Sequence, residues 1–397
     1  MKQQVTVTPA EMRNINRSAV SDIIRRRSPI ARTQIAHDLN VSLPTVMRIV
    51  DELYEDNLIR YSGEREWSGG RRRPLIEWNS KENLAIAIDL GRRRLYGAVA
   101  DLGGNVLHET TIIHTGQHGE PSYYLLVDMI RSLLGFAEKT GYHIRGIGVG
   151  VPGVTHYEEG LVEYVPGLEW RDFPLRDRLI SEFSMPVVVD NDANLIALGE
   201  YWSEAQKDIK NLVVVTIGIG IGAGIIIDGG VYRGSHGSSG EVGYLLPSTA
   251  YLDGEYFKFG AFEEIASGAG IAVRAHKLLD GTWTKESLNT LDAEAVFAAA
   301  RSGESWAQTV VTETVDYLAQ MVVTLCVCFD PDLIILRGGV LRSADLLIDP
   351  IRERLKGRLP FKINVIESQL GPRAAVLGAI TSLLHNISNR TYVVRST

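Results

Sequence analysis

Residues 212–227, LVVVTIGIGIGAGIII, limit the fold of this 397-residue chain more than any other stretch. This is the longest apolar run, yet it falls short of the roughly 20 residues that a membrane-spanning helix needs. From Gly218 to Gly224 every second residue is glycine. That pattern suits two adjacent strands joined by a tight turn, so a buried hairpin is predicted. Residues 84–107 carry a similar start, LAIAIDLG followed by LYGAVADLGGNVL. Between the two come a helix over 122–141, a strand over 144–153, and a strand, acidic turn and helix over 185–202. Such a succession predicts an α/β body, and its two hairpin starts imply two lobes with a cleft between them.

Length and composition allow that architecture. The chain can form two or three domains, and its 45% hydrophobic and 22% charged residues are ordinary for a soluble globular protein. Cys326 and Cys328, in VVTLCVCF, would point in different directions from one helix. With no CxxC pair and no apolar signal core in MKQQVTVTPAEMRN, a cytoplasmic location is expected, away from any membrane.

The first 80 residues read differently. They carry 13 Lys and Arg against 10 Asp and Glu, leaving 28 against 38 for the rest of the chain. A mildly basic head on an acidic body places any nucleic-acid contact at the N-terminus. Residues 11–27 are predicted as a helix with the stripe Met12, Ile15, Ala19 and Ile23, widened by Val20 and Ile24. Residues 32–53 then read as two short helices around a turn at Asn40 and Val41. Ile35, Ala36 and Leu39 face inward from the first, and Val46, Ile49, Val50 and Leu53 from the second. Ser42 is the expected N-cap, with Pro44 tolerated in the first turn.

This is a helix-turn-helix pattern, whose second helix lies in the DNA major groove with its N-terminal residues on base edges. Ser42, Pro44, Thr45 and Arg48 are therefore the candidate DNA contacts, flanked by Met47. Leu58, Ile59 and Tyr61, a polar loop and the strand PLIEW (74–78) would form a wing. At its tip Arg71, Arg72 and Arg73 sit on a glycine base. They suit a phosphate or minor-groove contact, and a solvated loop or linker would carry the same residues. A small helical domain that contacts protein is the alternative for the whole head.

Five further stretches are GVGVPG (148–153), NDANLIALGE (191–200), GIGIGAGIIIDGGVYRG (218–234), GEVGY (240–244) and DLIILRGGV (332–340). Their order and spacing resemble those of the ROK family of repressors, open reading frames and sugar kinases. The resemblance covers essentially the whole chain and points to the NagC/XylR-type transcriptional regulators within the family. It implies an α/β fold in which an N-terminal winged helix-turn-helix precedes a two-lobed actin/hexokinase-like body with a sugar between its lobes. The expected divisions are 1–80 for the head, 81–193 and 194–371 for the lobes, and 372–397 for a C-terminal helix returning to the first lobe.

By resemblance, sugar contacts fall to Asn191, Asp192, Glu241 and Glu263, with Tyr244 where the family has a sugar-touching histidine. In the family's kinases the residue matching Asp192 takes a proton from the sugar hydroxyl. The same carboxylate can simply bind the sugar. The nucleotide side departs from the kinase pattern at three places. Asp89, Leu90 and Gly91 run into Arg92 and Arg93 where a phosphate turn needs small residues, Ile219 replaces a threonine, and Arg337 replaces a glycine. Arg92 could bind phosphate directly, but its bulk more readily blocks close backbone approach.

The family's zinc ligands are matched here by Tyr244, Gly254, Tyr256 and Ala261, none a thiolate or imidazole, so no metal is expected. Packing by Tyr256, Phe257, Phe259 and Phe262 would hold that loop instead, and His236 reads as a loop residue. The resemblance thus implies a regulator, a repressor of carbohydrate-metabolism genes, with no cofactor. Its partners would be operator DNA and a carbohydrate or sugar-phosphate effector, and it would act as a homodimer or dimer of dimers. Lobe closure would change the spacing of two heads on their half-sites. An ATP-dependent sugar kinase with a regulatory head is the alternative, favoured by Asp192 and opposed by Arg92, Ile219 and Arg337. A sugar-binding adaptor docking on protein through its head is a third reading.

Overall fold

The computed structural model describes residues 9–68, 71–91, 94–114, 118–203, 209–256, 260–279, 291–362 and 364–388. In the head, α1 (Pro9–Arg27), α2 (Arg32–Asp38) and α3 (Leu43–Glu55) precede an antiparallel ribbon of β1 (Ile59–Ser68) and β2 (Arg71–Trp78). Asn40 turns the chain between α2 and α3 with φ at 50°, a left-handed conformation that asparagine tolerates. Ile35, Val46, Ile49, Val50 and Leu53 are buried as the periodicity predicts, together with Val20 and Ile24 of α1.

Two local expectations are corrected. Met12 and Ile15 are 47% and 56% exposed, because α1 turns Arg13 and Arg17 toward α3, where they pair with Glu52 at 2.7 and 3.1 Å. The residues read as a polar wing loop are largely strand, since β1 pairs with β2 out to Ser68 and Arg71 with one irregularity between Tyr61 and Arg65. The stretch SGEREWS is polar at all but one or two positions, so it carries no period-2 apolar signal.

The body contains two sheets with the same winding. The first uses β3 (Asn83–Leu90), β4 (Arg94–Asp101), β5 (Val106–Ile113), β6 (His143–Val151) and β10 (Val187–Asn191), in the order β10-β6-β3-β4-β5. The helix α4 (Glu120–Glu138) follows β5 and packs on β3 and β4. A small sheet of β7 (Val154–His156), β8 (Leu161–Val165) and β9 (Trp170–Phe173), then α5 (Leu175–Phe183), separates β6 from β10. After α6 (Asp192–Trp202) the second sheet begins with β11 (Leu212–Ile217), β12 (Ile221–Ile227) and β13 (Gly230–Val231). The predicted hairpin is therefore present, turning at Gly218, Ile219 and Gly220.

The second sheet is completed by β14 (Leu333–Arg337) and β15 (Val365–Glu367), in the order β13-β12-β11-β14-β15. In each sheet an antiparallel meander of three strands is extended by two parallel strands on the side of its first strand. Four longer helices, α8 (Gly268–Leu279), α9 (Ala293–Arg301), α10 (Ser305–Phe329) and α11 (Ile348–Leu355), share a core with one face of the second sheet. The short α7 (Glu263–Ala266) precedes them. Among the described residues α10 alone is long and apolar enough to cross a membrane, and 56% of its most apolar window is buried inside the protein. Cys326 on α10 is buried and Cys328 exposed.

The last helix, α12 (Arg373–Ser388), lies with α6 between the two sheets. Leu195 of α6 and Val376, Ala379, Ile380 and Leu383 of α12 share a core with Ala85, Ala87 and Val188 of the first sheet. Ile196, Ala197 and Leu198, with Ala374 and Ala375, pack on Leu212, Val214 and Ile335 of the second. The division expected after residue 193 thus falls inside a helix that both sheets share.

Candidate functional site

At its C-terminal end β10 delivers Asp190 and Asn191, and α6 starts at Asp192. The Asn191 side-chain oxygen, Oδ1, caps the helix by accepting from Ala193 N at 2.9 Å and Asn194 N at 3.2 Å. Its amide donates to Gly153 O at 2.9 Å, which ties the turn to the corner after β6. Asp192 is half-buried and accepts from Ala193 N at 2.8 Å. Helix N-termini favour negative charge, which suits a carboxylate at this position.

The other expected contacts gather on the second sheet. Glu241 leads into a single 3-10 turn, Val242–Tyr244, with Tyr244 47% exposed. A methyl group at Gly243 would lie 3.3 Å from Glu263 Cβ, so this turn rests directly on Glu263. Glu263 itself is 5% exposed and accepts from Ile221 N at 3.0 Å and Gly260 N at 3.3 Å. The structure therefore places it as a buried brace that pins the start of β12. The acidic turn and this group meet through β12, because α6 packs on that strand so closely that a methyl group at Gly224 would lie 2.2 Å from Ala193 O.

Sequence reading missed the residue that joins the two groups. Asp190, whose side chain is 1% exposed, receives Arg233 at 2.5 Å from the segment after β13. Arg233 also stacks over Tyr157, 4.0 Å from the ring centroid. Both residues stand inside recognised motifs, DNDAN and VYRG, but nothing local signals that they pair.

A second group of charges joins the ends of β3 and β4 to the end of β14. Asp89 pairs with Arg94 at 3.2 Å, and the turn between them is closed by Gly91 N donating to Arg94 O at 2.8 Å. Arg92 and Arg93 lie outside the described residues. Arg337 donates to Gly371 O at 3.0 Å, while its Nε and Nη1 are buried without a hydrogen-bond partner. Burial lowers the Arg337 guanidinium, against the pull of Glu200, Asp89 and Asp192. Burial likewise raises the Asp89 carboxyl, opposed by Arg94 and Arg337. Ile219, at the β11–β12 turn, is 39% exposed.

Glu200 gives this group a measurable signature. It is 3% exposed, accepts from the Ser368 hydroxyl, and burial holds its carboxyl above the usual range. A carboxyl raised by folding contributes stability that is present at low pH and lost as the pH rises through the folded value. Glu200→Gln keeps an acceptor for Ser368 and removes the buried charge. Its urea midpoint is expected to gain on the wild type as the pH is raised from about 5 to about 8 and to converge with it in acid.

In the head, Ser42 caps α3 by accepting from Thr45 N at 3.3 Å, and its hydroxyl meets that of Thr45 at 2.8 Å. Pro44 and Arg48 are exposed and Thr45 half-buried, with Met47 beside them. Arg48 pairs with Glu52 at 3.2 Å. Arg71, Arg72 and Arg73 belong to the β2 backbone opposite Ser68, Trp67 and Glu66, and their side chains lie outside the described residues. In the loop matching the family's zinc segment, Phe262 is buried and the Tyr256 hydroxyl donates to Tyr251 O at 3.2 Å. Phe257 and Phe259 lie outside the described residues. His236 is exposed.

Residues 85–386 match the model of the ROK family. The xylose repressor of Caldicellulosiruptor bescii is 29% identical over 386 residues, which cover 95% of this chain and 97% of that one. The glucokinase of Halalkalibacterium halodurans is 31% identical over 308 residues, covering 74% of this chain and 92% of the kinase. Among solved structures, a ROK family transcriptional regulator, a homologue of the E. coli MLC protein, superposes with a TM-score of 0.81 at 24% identity. That alignment covers 95% of this chain and 99% of the regulator.

Proposed function

The chain belongs to the ROK family, and from that premise we propose that it is a sugar-responsive transcriptional regulator that represses carbohydrate-metabolism genes. One observation carries the reading. Likeness to the repressor runs through head and body alike, whereas likeness to the glucokinase covers 74% of the chain and nearly all of the kinase. The family model begins at residue 85, and the residues before it include a helix pair whose second member exposes Ser42, Pro44 and Arg48.

In this reading the head, up to residue 80, is a winged helix-turn-helix, the two sheets belong to two lobes on either side of the layer that α6 and α12 share, and α12 closes the body. Ser42, Pro44, Thr45 and Arg48 enter the major groove, and Arg71, Arg72 and Arg73 meet phosphate or the minor groove. Asn191, Asp192, Glu241, Tyr244 and Glu263 surround a carbohydrate or sugar phosphate, with Glu263 acting by fixing β12. Arg337 and the Asp89–Arg94 pair fill the side of the cleft where a kinase holds nucleotide. A homodimer would present two heads to paired half-sites.

The test is recovery of genomic fragments bound by the full chain, followed by affinity measurements with and without D-xylose, D-glucose and D-glucose 6-phosphate. Operator binding is expected to weaken steeply with salt and to fall when an effector is added. Asp192→Asn is expected to weaken effector binding at least about tenfold, the loss of one charge-assisted hydrogen bond, while leaving DNA affinity unchanged. Absent or salt-insensitive DNA binding would instead support a protein-docking adaptor. The kinase reading draws on Asp192 and on the glucokinase likeness; ATP-dependent phosphorylation of D-glucose, abolished in Asp192→Asn, would establish it.

A further inference from the structure

We infer that α6 is the rod through which the sugar site addresses the head, and that Trp202 and Arg25 are the positioning residues at its far end. The inference rests on the regulator reading above. At one end of α6 stand Asn191 and Asp192. Eleven residues later, about 16 Å along the axis, Trp202 ends the helix beneath the head. The Arg25 guanidinium of α1 lies 3.1 Å from the centroid of the Trp202 ring, and that of Arg26 lies 5.7 Å from the ring of Tyr201. Arg25 is fixed from its own helix by Asp22 at 3.2 Å, and Asp22 faces His385 of α12 at 3.7 Å. The head's α1 is thus clasped by the ends of both helices that fill the layer between the sheets.

The rod has no slack. A methyl group at Gly199 would lie 1.8 Å from Ala374 O, and one at Gly378 would lie 1.7 Å from Leu195 O. With α6 and α12 touching backbone to backbone, they move together. Both pack on each sheet, so a ligand that changes the angle between the lobes must displace or turn this pair. Interiors packed at such density transmit displacement instead of absorbing it.

The head shares a core with this layer, Val20 and Ile24 of α1 clustering with Val376, Ile380 and Leu383 of α12, and it has open space beside the clasp. A cavity of about 390 Å³ lies beside the clasp, lined from the head by Asp22, Ile23 and Arg26 and from the body by Tyr201, Trp202 and His385. On the other side the head is held near its own last strand. There Asn79 and Asn83 donate to Asn57 O at 3.2 and 2.9 Å, and Arg145 of β6 donates to Asp56 O at 2.5 Å. A fixed edge at Asn57, a clasp at Trp202 and an open pocket beside it would let the head tilt when the rod moves.

The experiment uses the full chain, its recovered DNA fragment, and D-xylose or D-glucose as effector. In Trp202→Leu and Arg25→Gln the effector's own affinity and the effector-free DNA affinity are expected to stay within about twofold. The change in DNA affinity on adding effector is expected to fall at least fivefold, the lower end of ordinary coupling energies. Trp202→Phe, which keeps an aromatic face for Arg25, is expected to retain the response. A purely structural role would not spare both binding steps while removing the link between them.

A ligand-free measurement accompanies it. Asn191→Ala is expected to speed amide hydrogen exchange in residues 12–27 on the wild-type background but not in Trp202→Leu. A wild type that responds to effector with both variants responding equally overturns the coupling alone, as does an Asn191→Ala effect that persists in Trp202→Leu. A wild type that binds no DNA, or releases none with any sugar, overturns the regulator reading and the coupling with it.

Discussion

Gly378→Ala is expected to lower the stability of the chain by about 3 kcal/mol or more, read as a fall in urea midpoint. The added methyl group would meet Leu195 O at 1.7 Å and Leu195 C at 2.5 Å. Both are backbone atoms, so no rotamer change relieves the clash. The helices α6 and α12 would have to part, and each is already pressed against a sheet. Alanine's better helix propensity returns only about 1 kcal/mol, too little to offset that strain. Gly135→Ala, in α4, is the internal control. A methyl group there meets nothing within 4 Å, so propensity acts alone and the variant is expected to gain up to about 1 kcal/mol.

The second large effect falls on the bond between the lobes. Arg233→Ala strands the Asp190 carboxylate, whose side chain is 1% exposed. Asn191 N at 2.8 Å and Asn194 Nδ2 at 3.1 Å still donate to its Oδ1, but the compensating charge is gone. Breaking one side of a buried pair typically costs about 3–5 kcal/mol, and the lower end applies because the Arg233 side chain is 26% exposed. The paired change Asp190→Asn with Arg233→Met removes both charges. It is expected to recover most of the lost midpoint, since the desolvation cost disappears with the charge. Equal loss in the single and paired variants would show that the contact matters through shape alone. Because Asp190 directly precedes the acidic turn, Arg233→Ala is also expected to weaken sugar binding more than its stability loss accounts for.

The contrast between these residues and those read from the sequence has a physical basis. The hairpin over 212–227 was legible because glycine alternation and β-branched neighbours act over adjacent residues. The helix pair of the head was legible because burial of Ile35, Val46, Ile49 and Leu53 repeats with the helical period. The strand, acidic turn and helix at 187–202 were legible because an apolar run ends in residues that cap helices. Met12 and Ile15 misled, since an apolar stripe states which face could be buried and not how far a neighbour extends to cover it.

The sequence by itself determined the local elements, their order, the twofold repetition of the body and the identity of the groups at the acidic turn. The elements follow from short-range periodicity, capping and turn chemistry, and the choice of Asn191 and Asp192 follows from the resemblance to the ROK family. Only the tertiary structure decided that Glu263 braces β12, that Arg233 reaches Asp190 across 43 residues, and that α6 and α12 form one layer between the sheets. It also placed Trp202 beneath Arg25. These contacts join segments far apart in the chain, where no period or spacing records the pairing, and each is selected only when the two sheets close on the helices between them.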